Sequence, residues 1–186
     1  MMEKSIPDSK KMKDANHWRG VIAGAFLLLV LALLTLGLLQ ANRGQLKMGE
    51  QAPEFVLNTF DGDQIDTSEL RGHVIVVNVW ASWCTTCVFE AAELEQAHQM
   101  YRDRGVIFLG VDWSDTDAKA LEYLQRFGIT YPNGPDLAGR IYKEYRLKGV
   151  PETFIIDSAG RLSSVRIGAY ASLEEIVQAI EFALDS

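Results

Sequence analysis

The chain has two cysteines, Cys84 and Cys87, three residues apart in a sequence of 186. At that spacing on a helix the two sulfurs lie within reach of each other, so the pair can close a disulfide and reopen it. Exchange of this kind begins with a thiolate attacking a disulfide sulfur. The amino end of a helix favours a thiolate, because free backbone N–H groups and the positive end of the macrodipole meet there. Cys84 is therefore expected at a helix start, as the more exposed and more thiolate-like sulfur and the attacking nucleophile. Cys87, one turn further on, is placed to resolve the mixed disulfide. A purely structural cross-link gains little over so short a loop. A metal site is not expected, since zinc usually takes four ligands, and a disulfide scaffold would need more cysteines.

The pair must be held by the elements around it. His73-Val74-Ile75-Val76-Val77-Asn78-Val79-Trp80 is a continuous, mostly β-branched run that suits a strand buried on both faces. From Cys84 a helix is predicted to about Arg104, with Cys87, Ala91, Leu94, His98 and Tyr101 on its apolar face and Gly105 ending it. Residues 106–111 read as a second buried strand. Residues 115–127 read as a helix with Ala118, Leu121, Leu124 and Phe127 on one side, 131–136 as loop, and 137–145 as a short helix. Upstream, Phe55-Val56-Leu57 and Gln64-Ile65-Asp66 flank Asp61-Gly62, a hairpin signal. Downstream, Thr153-Phe154-Ile155-Ile156 and 162–167 form a hairpin, and 173–184 a closing amphipathic helix. Strands alternating with helices make an α/β domain, and the last hairpin makes its sheet mixed.

Hydropathy and charge divide the chain. Residues 21–39 form a nineteen-residue run without a charge, close to the roughly 20 residues a helix needs to cross a bilayer. A cleaved signal peptide would have a shorter apolar run and a small-x-small site; Leu39-Gln40-Ala41 fits poorly, and no cysteine is near for lipid attachment. Lys4, Lys10, Lys11, Lys13 and Arg19 precede the run, against Arg43 and Lys47 after it. The positive-inside rule then keeps the tail in the cytoplasm and sends the domain across. The expected organisation is a cytoplasmic tail (1–20), a transmembrane signal-anchor (21–41), a tether (42–51) and one domain (52–186). This describes a single-pass cell-membrane protein with extracytoplasmic thiols, where disulfides persist. Residues 44–186 hold twelve Lys/Arg against twenty-two Asp/Glu, which argues against a nucleic-acid partner.

The segments around the pair carry a resemblance. Asn78-Val79-Trp80-Ala81-Ser82-Trp83-Cys84-Thr85-Thr86-Cys87 resembles the thioredoxin superfamily, as does Gly149-Val150-Pro151-Glu152-Thr153-Phe154-Ile155-Ile156-Asp157 about 65 residues later. Within it, the chain is similar to the membrane-anchored TlpA/ResA/CcmG (DsbE) branch, related to AhpC/TSA proteins. The segment Gly49-Glu50-Gln51-Ala52-Pro53-Glu54-Phe55 resembles that branch's entry strand. The resemblance implies a thioredoxin fold, with a central mixed sheet flanked by helices, an N-terminal β-hairpin and a helix-strand insertion around 106–127. It implies a protein-disulfide reductase for exported proteins, such as apocytochrome c during cytochrome c-type biogenesis. A membrane thiol donor supplies the electrons, and no cofactor is needed beyond the redox-active Cys84–Cys87 disulfide. It further implies a cis Val150–Pro151 bond that turns the Val150 backbone toward the cysteines, where it can pair with a substrate chain. Glu90 is implied as an acid near the disulfide that manages a cysteine proton, and Glu152 as a shaper of the substrate groove. Trp83 is expected on the rim and Trp80 in the core.

Three departures from the family pattern stand out. Asn78 occupies the place of a buried aspartate of ordinary thioredoxin; an amide cannot take up a proton, so that role is either missing or moved, with Glu90 the candidate for the move. Thr85-Thr86 replaces a proline-containing pair, which leaves the redox poise open. Ala92 replaces a helix-kinking proline, so the helix is expected to run straighter. The rivals are a thiol oxidant of the same fold, a peroxiredoxin-like peroxidase and a non-catalytic copper-binding module. The peroxidase needs Thr or Ser where this chain has Ala81, and the copper module needs cysteines one residue wider apart together with a histidine. His73 and His98 read as structural.

Overall fold

The computed structural model describes residues 9–41 and 44–186 and divides the chain into two units, 1–44 and 45–186. The first unit is helix α1, Ser9–Ala41. Its side chains are described at Trp18 and over 21–37, where apolar residues run around the helix rather than along one stripe. Among the described residues no helix is long and apolar enough to cross a membrane. The expected anchor continues over 38–41, whose side chains lie outside the described residues. Much of the expected tail, and residues 42–43 of the expected tether, lie outside them too.

The second unit is built on a five-stranded sheet. In chain order its strands are β3 (Val74–Trp80), β4 (Val106–Asp112), β5 (Asn133–Pro135), β6 (Glu152–Ile156) and β7 (Leu162–Ile167). Ahead of it, β1 (Val56–Asn58) and β2 (Gln64–Asp66) form a separate antiparallel hairpin. The sheet order is β5-β4-β3-β6-β7. β3 runs parallel to β4 and antiparallel to β6, so the sheet is mixed. Every residue of β3 is buried, as the unbroken apolar run requires of a central strand. Its alternation fills two cores. Ile75, Val77 and Val79 pack with Leu109, Val111 and Phe154 on one face, while Val76 packs with Phe108 and Ile155 on the other. Burying each such side chain contributes about 1.5–3 kcal/mol. Helices α2 (Ala91–Tyr101) and α5 (Leu173–Leu184) cover the second face through Leu94, Tyr101, Ile176 and Ile180.

Several sequence expectations are corrected. Residues 45–51 are not a free tether. Leu46 is buried in the core, the Gly49 N–H donates to the Leu162 carbonyl, and Gln51 bridges Arg161. The helix expected from Cys84 does not start there. A 3-10 turn, Cys87–Phe89, comes first and α2 begins only at Ala91. The break falls at Glu90, whose φ of −111° leaves the helical range while its side chain turns inward. A helix without a proline at Ala92 is thus still interrupted, two residues earlier. Helix α3 is Asp117–Phe127, and its buried residues are Ala120 and Tyr123. Of the expected apolar face, Leu124 and Phe127 pack against the core beside Ala120 and Tyr123, while Ala118 and Leu121 are exposed. The short helix expected over 137–145 is confined to α4, Arg140–Glu144. Residues 133–135, expected as loop, form edge strand β5. The segment expected as an insertion begins with β4, which is paired on both sides and belongs to the sheet itself.

β5 is seated by a close approach. A Cβ on Gly110 of β4 would coincide with the Asn133 side-chain amide. Glycine there lets Asn133 reach across β4, where its Oδ1 accepts from Trp80 Nε1 at 2.8 Å.

Candidate functional site

In this sheet the carboxyl ends of β3 and β4 and the amino end of β6 lie together, as the register Trp80↔Asp112 and Val79↔Glu152 requires. The loops after parallel strands are where α/β folds place their sites. Here they carry Ala81–Thr86, Trp113–Thr116 and Lys148–Pro151.

Cys84 and Cys87 form a disulfide, with S–S 2.07 Å and Cα–Cα 5.4 Å. Cys84 is 4% exposed and Cys87 2%. The expected order of exposure holds, but both sulfurs are buried in the closed pair. The Cys84 Sγ accepts from the Cys87 backbone N–H at 3.1 Å, and the Thr86 hydroxyl lies 3.5 Å away. Because α2 starts seven residues later, the Cys84 sulfur faces this N–H and not the expected helix terminus.

Glu90 is 1% exposed. Asn78 Nδ2 donates to its Oε1 at 2.9 Å, and the Tyr170 backbone N–H donates to its Oε2 at 2.8 Å. Burial pushes its carboxyl up to about 7, against the pull of these two donors. The Glu90 N–H itself donates to the Cys87 carbonyl at 3.3 Å, which ties the acid to the redox turn. Asn78 also donates to Thr153 Oγ1 at 3.0 Å, so one amide links β3, β6 and the buried acid.

The Val150–Pro151 bond is cis. A groove of about 260 Å³ runs past it, lined by Thr86, Gly149, Val150, Pro151, Ile167 and Gly168 among others. Glu152 is not an exposed strand-end acid. It is 1% exposed, and its Oε1 accepts from the Lys148 and Gly149 N–H groups at 2.8 and 3.2 Å. It shapes the groove by bracing the loop before Pro151. Trp83 is 54% exposed and forms a rim, with its indole N–H on the Ser114 carbonyl at 3.1 Å and its ring edge-on to Trp113. Trp80 is buried and stacked on Tyr123. His98 packs between Phe108 and Tyr131, away from the redox pair in sequence and in contacts.

Sequence reasoning missed four contributors. Tyr170 comes from the β7–α5 loop, eighty residues from Glu90, and only tertiary folding brings it in. The Tyr123 hydroxyl donates to the Cys87 carbonyl at 3.0 Å. Asp115 Oδ2 accepts from the Ser82 N–H at 2.6 Å, fixing the start of the cysteine loop. Asp112 is buried at the end of β4; a lone acid closing an apolar β-run was its available signal.

Fold and site together define a thioredoxin-like domain with an exchangeable disulfide at the carboxyl end of its central strands. The chain belongs to the AhpC/TSA family, whose model matches residues 48–165. The thiol-disulfide oxidoreductase ResA of Geobacillus thermodenitrificans is 28% identical over 166 residues, covering 88% of this chain and 95% of that protein. The ResA of Bacillus anthracis is 27% identical over 128 residues, covering 69% and 74%. A solved thiol:disulfide interchange protein of the thioredoxin family from Chlorobium tepidum is similar in structure. Its TM-score is 0.67 at 26% identity, covering 76% of this chain and 99% of that one. With the Cys84–Cys87 pair in place, the chain is a thiol–disulfide oxidoreductase.

Proposed function

We propose that this enzyme reduces disulfides of exported proteins outside the cytoplasm, held at the cell membrane by residues 21–41, with apocytochrome c cysteines as one client class. The observation that carries the reading is the buried Glu90 carboxyl, tuned to about 7 and tied to the turn of the Cys84–Cys87 disulfide. The names of the ResA relatives support the activity, and the uncharged run before the domain supports the location.

In the reduced enzyme Cys84 attacks one sulfur of the substrate disulfide and displaces the other as a thiolate. Cys87 then loses its proton, attacks the Cys84 sulfur, and releases the second substrate thiol. The enzyme leaves with Cys84–Cys87 oxidised, and two electrons have passed to the client. Glu90 takes the Cys87 proton, for which a carboxyl near 7 is matched to neutral pH. Val150 and Pro151 offer the backbone against which the client chain lies, Glu152 braces that loop, and Trp83 bounds it. A membrane dithiol donor restores the reduced pair, and no bound cofactor is required.

The test is the reduction potential of the pair in the full chain, purified in detergent. A value well below the roughly −120 mV of a strong oxidant is expected. A value near it makes the enzyme an oxidant instead. Cys84→Ala should abolish disulfide reduction; retention of the wild-type rate removes Cys84 from the mechanism. Recovery of the chain in the soluble fraction of lysed cells would overturn the anchor.

A further inference from the structure

A second groove adjoins the redox pair. It has a volume of about 240 Å³ and is lined by Ser82, Trp83, Lys119, Glu122, Tyr123 and Arg126. Four of these come from α3 at positions 119, 122, 123 and 126, the three- and four-residue spacing that puts side chains on one face. The groove shares walls with the site already described. Trp83 precedes Cys84, and Tyr123 donates its hydroxyl to the Cys87 carbonyl at 3.0 Å while stacking on Trp80.

The charges of this groove are the unusual part. Among the described residues, six arginines of the domain are engaged in ion pairs. Lys119 and Arg126 are in none of them and make no side-chain hydrogen bond. Arg126 instead lies over the Phe127 ring, 5.0 Å from its centroid. Glu122 is the one acid in the lining, so the groove is net positive within a strongly acidic domain. An acidic domain repels acidic chains at long range. Two cations outside those ion pairs, in a groove that shares Trp83 and Tyr123 with the redox turn, reverse that locally, with flat aromatic walls to receive a peptide.

We infer that this groove is a specificity subsite for an acidic residue of the client polypeptide, a few positions from the cysteine being exchanged. The carboxylate sits between Lys119 and Arg126, and the adjoining chain lies against Trp83. The inference rests on the oxidoreductase reading and adds to it a rule for choosing among clients.

The experiment uses the full chain in a non-ionic detergent and two disulfide-linked peptides that differ only in Glu or Lys beside the cysteine. The readout is the ratio of their kcat/KM values. Exposed ion pairs are individually weak, so two cations should favour the Glu peptide roughly five-fold. The preference should fade in 0.5 M salt, where the screening length falls to a few ångströms. Lys119→Glu with Arg126→Glu should invert the ratio. If that variant does not fold, Lys119→Gln with Arg126→Gln should bring it to one, and a thermal melt reports folding in both. An unchanged ratio in a folded variant, with both peptides still reduced, overturns the subsite and leaves the oxidoreductase reading standing. Failure of the wild type to reduce either peptide overturns that reading, and the subsite with it.

Discussion

Of the carboxyl groups buried at the redox end of the domain, two, Glu90 and Asp112, are pushed up to about 7 by burial. Their surroundings are otherwise opposite. Glu90 receives two hydrogen bonds, one on each oxygen, from a side chain on β3 and a backbone N–H after β7. Asp112 has an Oδ1 with no hydrogen-bond partner among the described residues, and the nearby charges of Asp115 and Asp117 add to its shift. The backbone of Glu90 is bonded to Cys87, whereas that of Asp112 is bonded to Asp136. A raised carboxyl is therefore not enough to name a working acid. What separates the two is attachment: Glu90 is held in place next to the redox turn, and Asp112 is a charge the fold carries at a cost.

The largest effect that tests this contrast is on rate. Glu90→Gln removes the proton acceptor but keeps the volume, and general acid–base groups are worth about 10²–10⁴-fold. Reduction at pH 7 should fall by about 100-fold, and the inflection of the pH–rate profile near 7 should vanish. A variant that keeps that inflection returns Glu90 to a structural role.

Asp112 should give its signal in stability. A carboxyl raised from 3.8 to about 7 holds more protons folded than unfolded across that window. The group therefore costs the fold nothing at low pH, where it is protonated folded and unfolded, and destabilises it increasingly as pH rises toward 7. Asp112→Asn removes the ionisable group, and should stabilise the oxidised protein by about 2–3 kcal/mol at pH 8 and by almost nothing near pH 3. Denaturant melts at the two values measure this. Glu90 has the same sign, so a flat pH dependence in Asp112→Asn alone would contradict the raised carboxyl at Glu90.

The reach of the sequence follows the same line. The cysteine pair and the buried β3 run were legible from their own residue patterns, whereas the cis Val150–Pro151 bond and the choice of Glu90 came only through the family resemblance. The sequence paired Asn78 with Glu90 only through that resemblance, and the structure joins the two side chains by a hydrogen bond. Tyr170 and Tyr123 were not, since nothing near them in sequence refers to the cysteines. Half of the α3 face was misread because Ala118 and Leu121 share the apolar spacing of Leu124 and Phe127, and only packing brings Ala120 and Tyr123 inward in their place. β5 was hidden by Asn133-Gly134-Pro135, a turn-like string that becomes a strand because Gly110 admits the Asn133 side chain.

A smaller effect is expected at the donor that holds Glu90. Asn78→Ala removes a hydrogen bond that favours the charged carboxyl, so the inflection near 7 should move up by about one unit. A downward shift would mean that Asn78 works through Thr153 and not through Glu90.

Glu152 extends the contrast to a third buried acid and gives the smallest expected effect. Burial pushes its carboxyl up, and the Lys148 and Gly149 N–H groups pull it back. Both donors meet the same oxygen, Oε1. Glutamine keeps that oxygen, loses the charge assistance of the two bonds and escapes the cost of burying a charge, so the terms offset. Glu152→Gln should change stability by less than about 1 kcal/mol, while Glu152→Ala, which strands two N–H groups, should cost about 2 kcal/mol. Equal losses in the two variants would mean that the charge of Glu152, and not its bracing of the loop before Pro151, is what the fold requires.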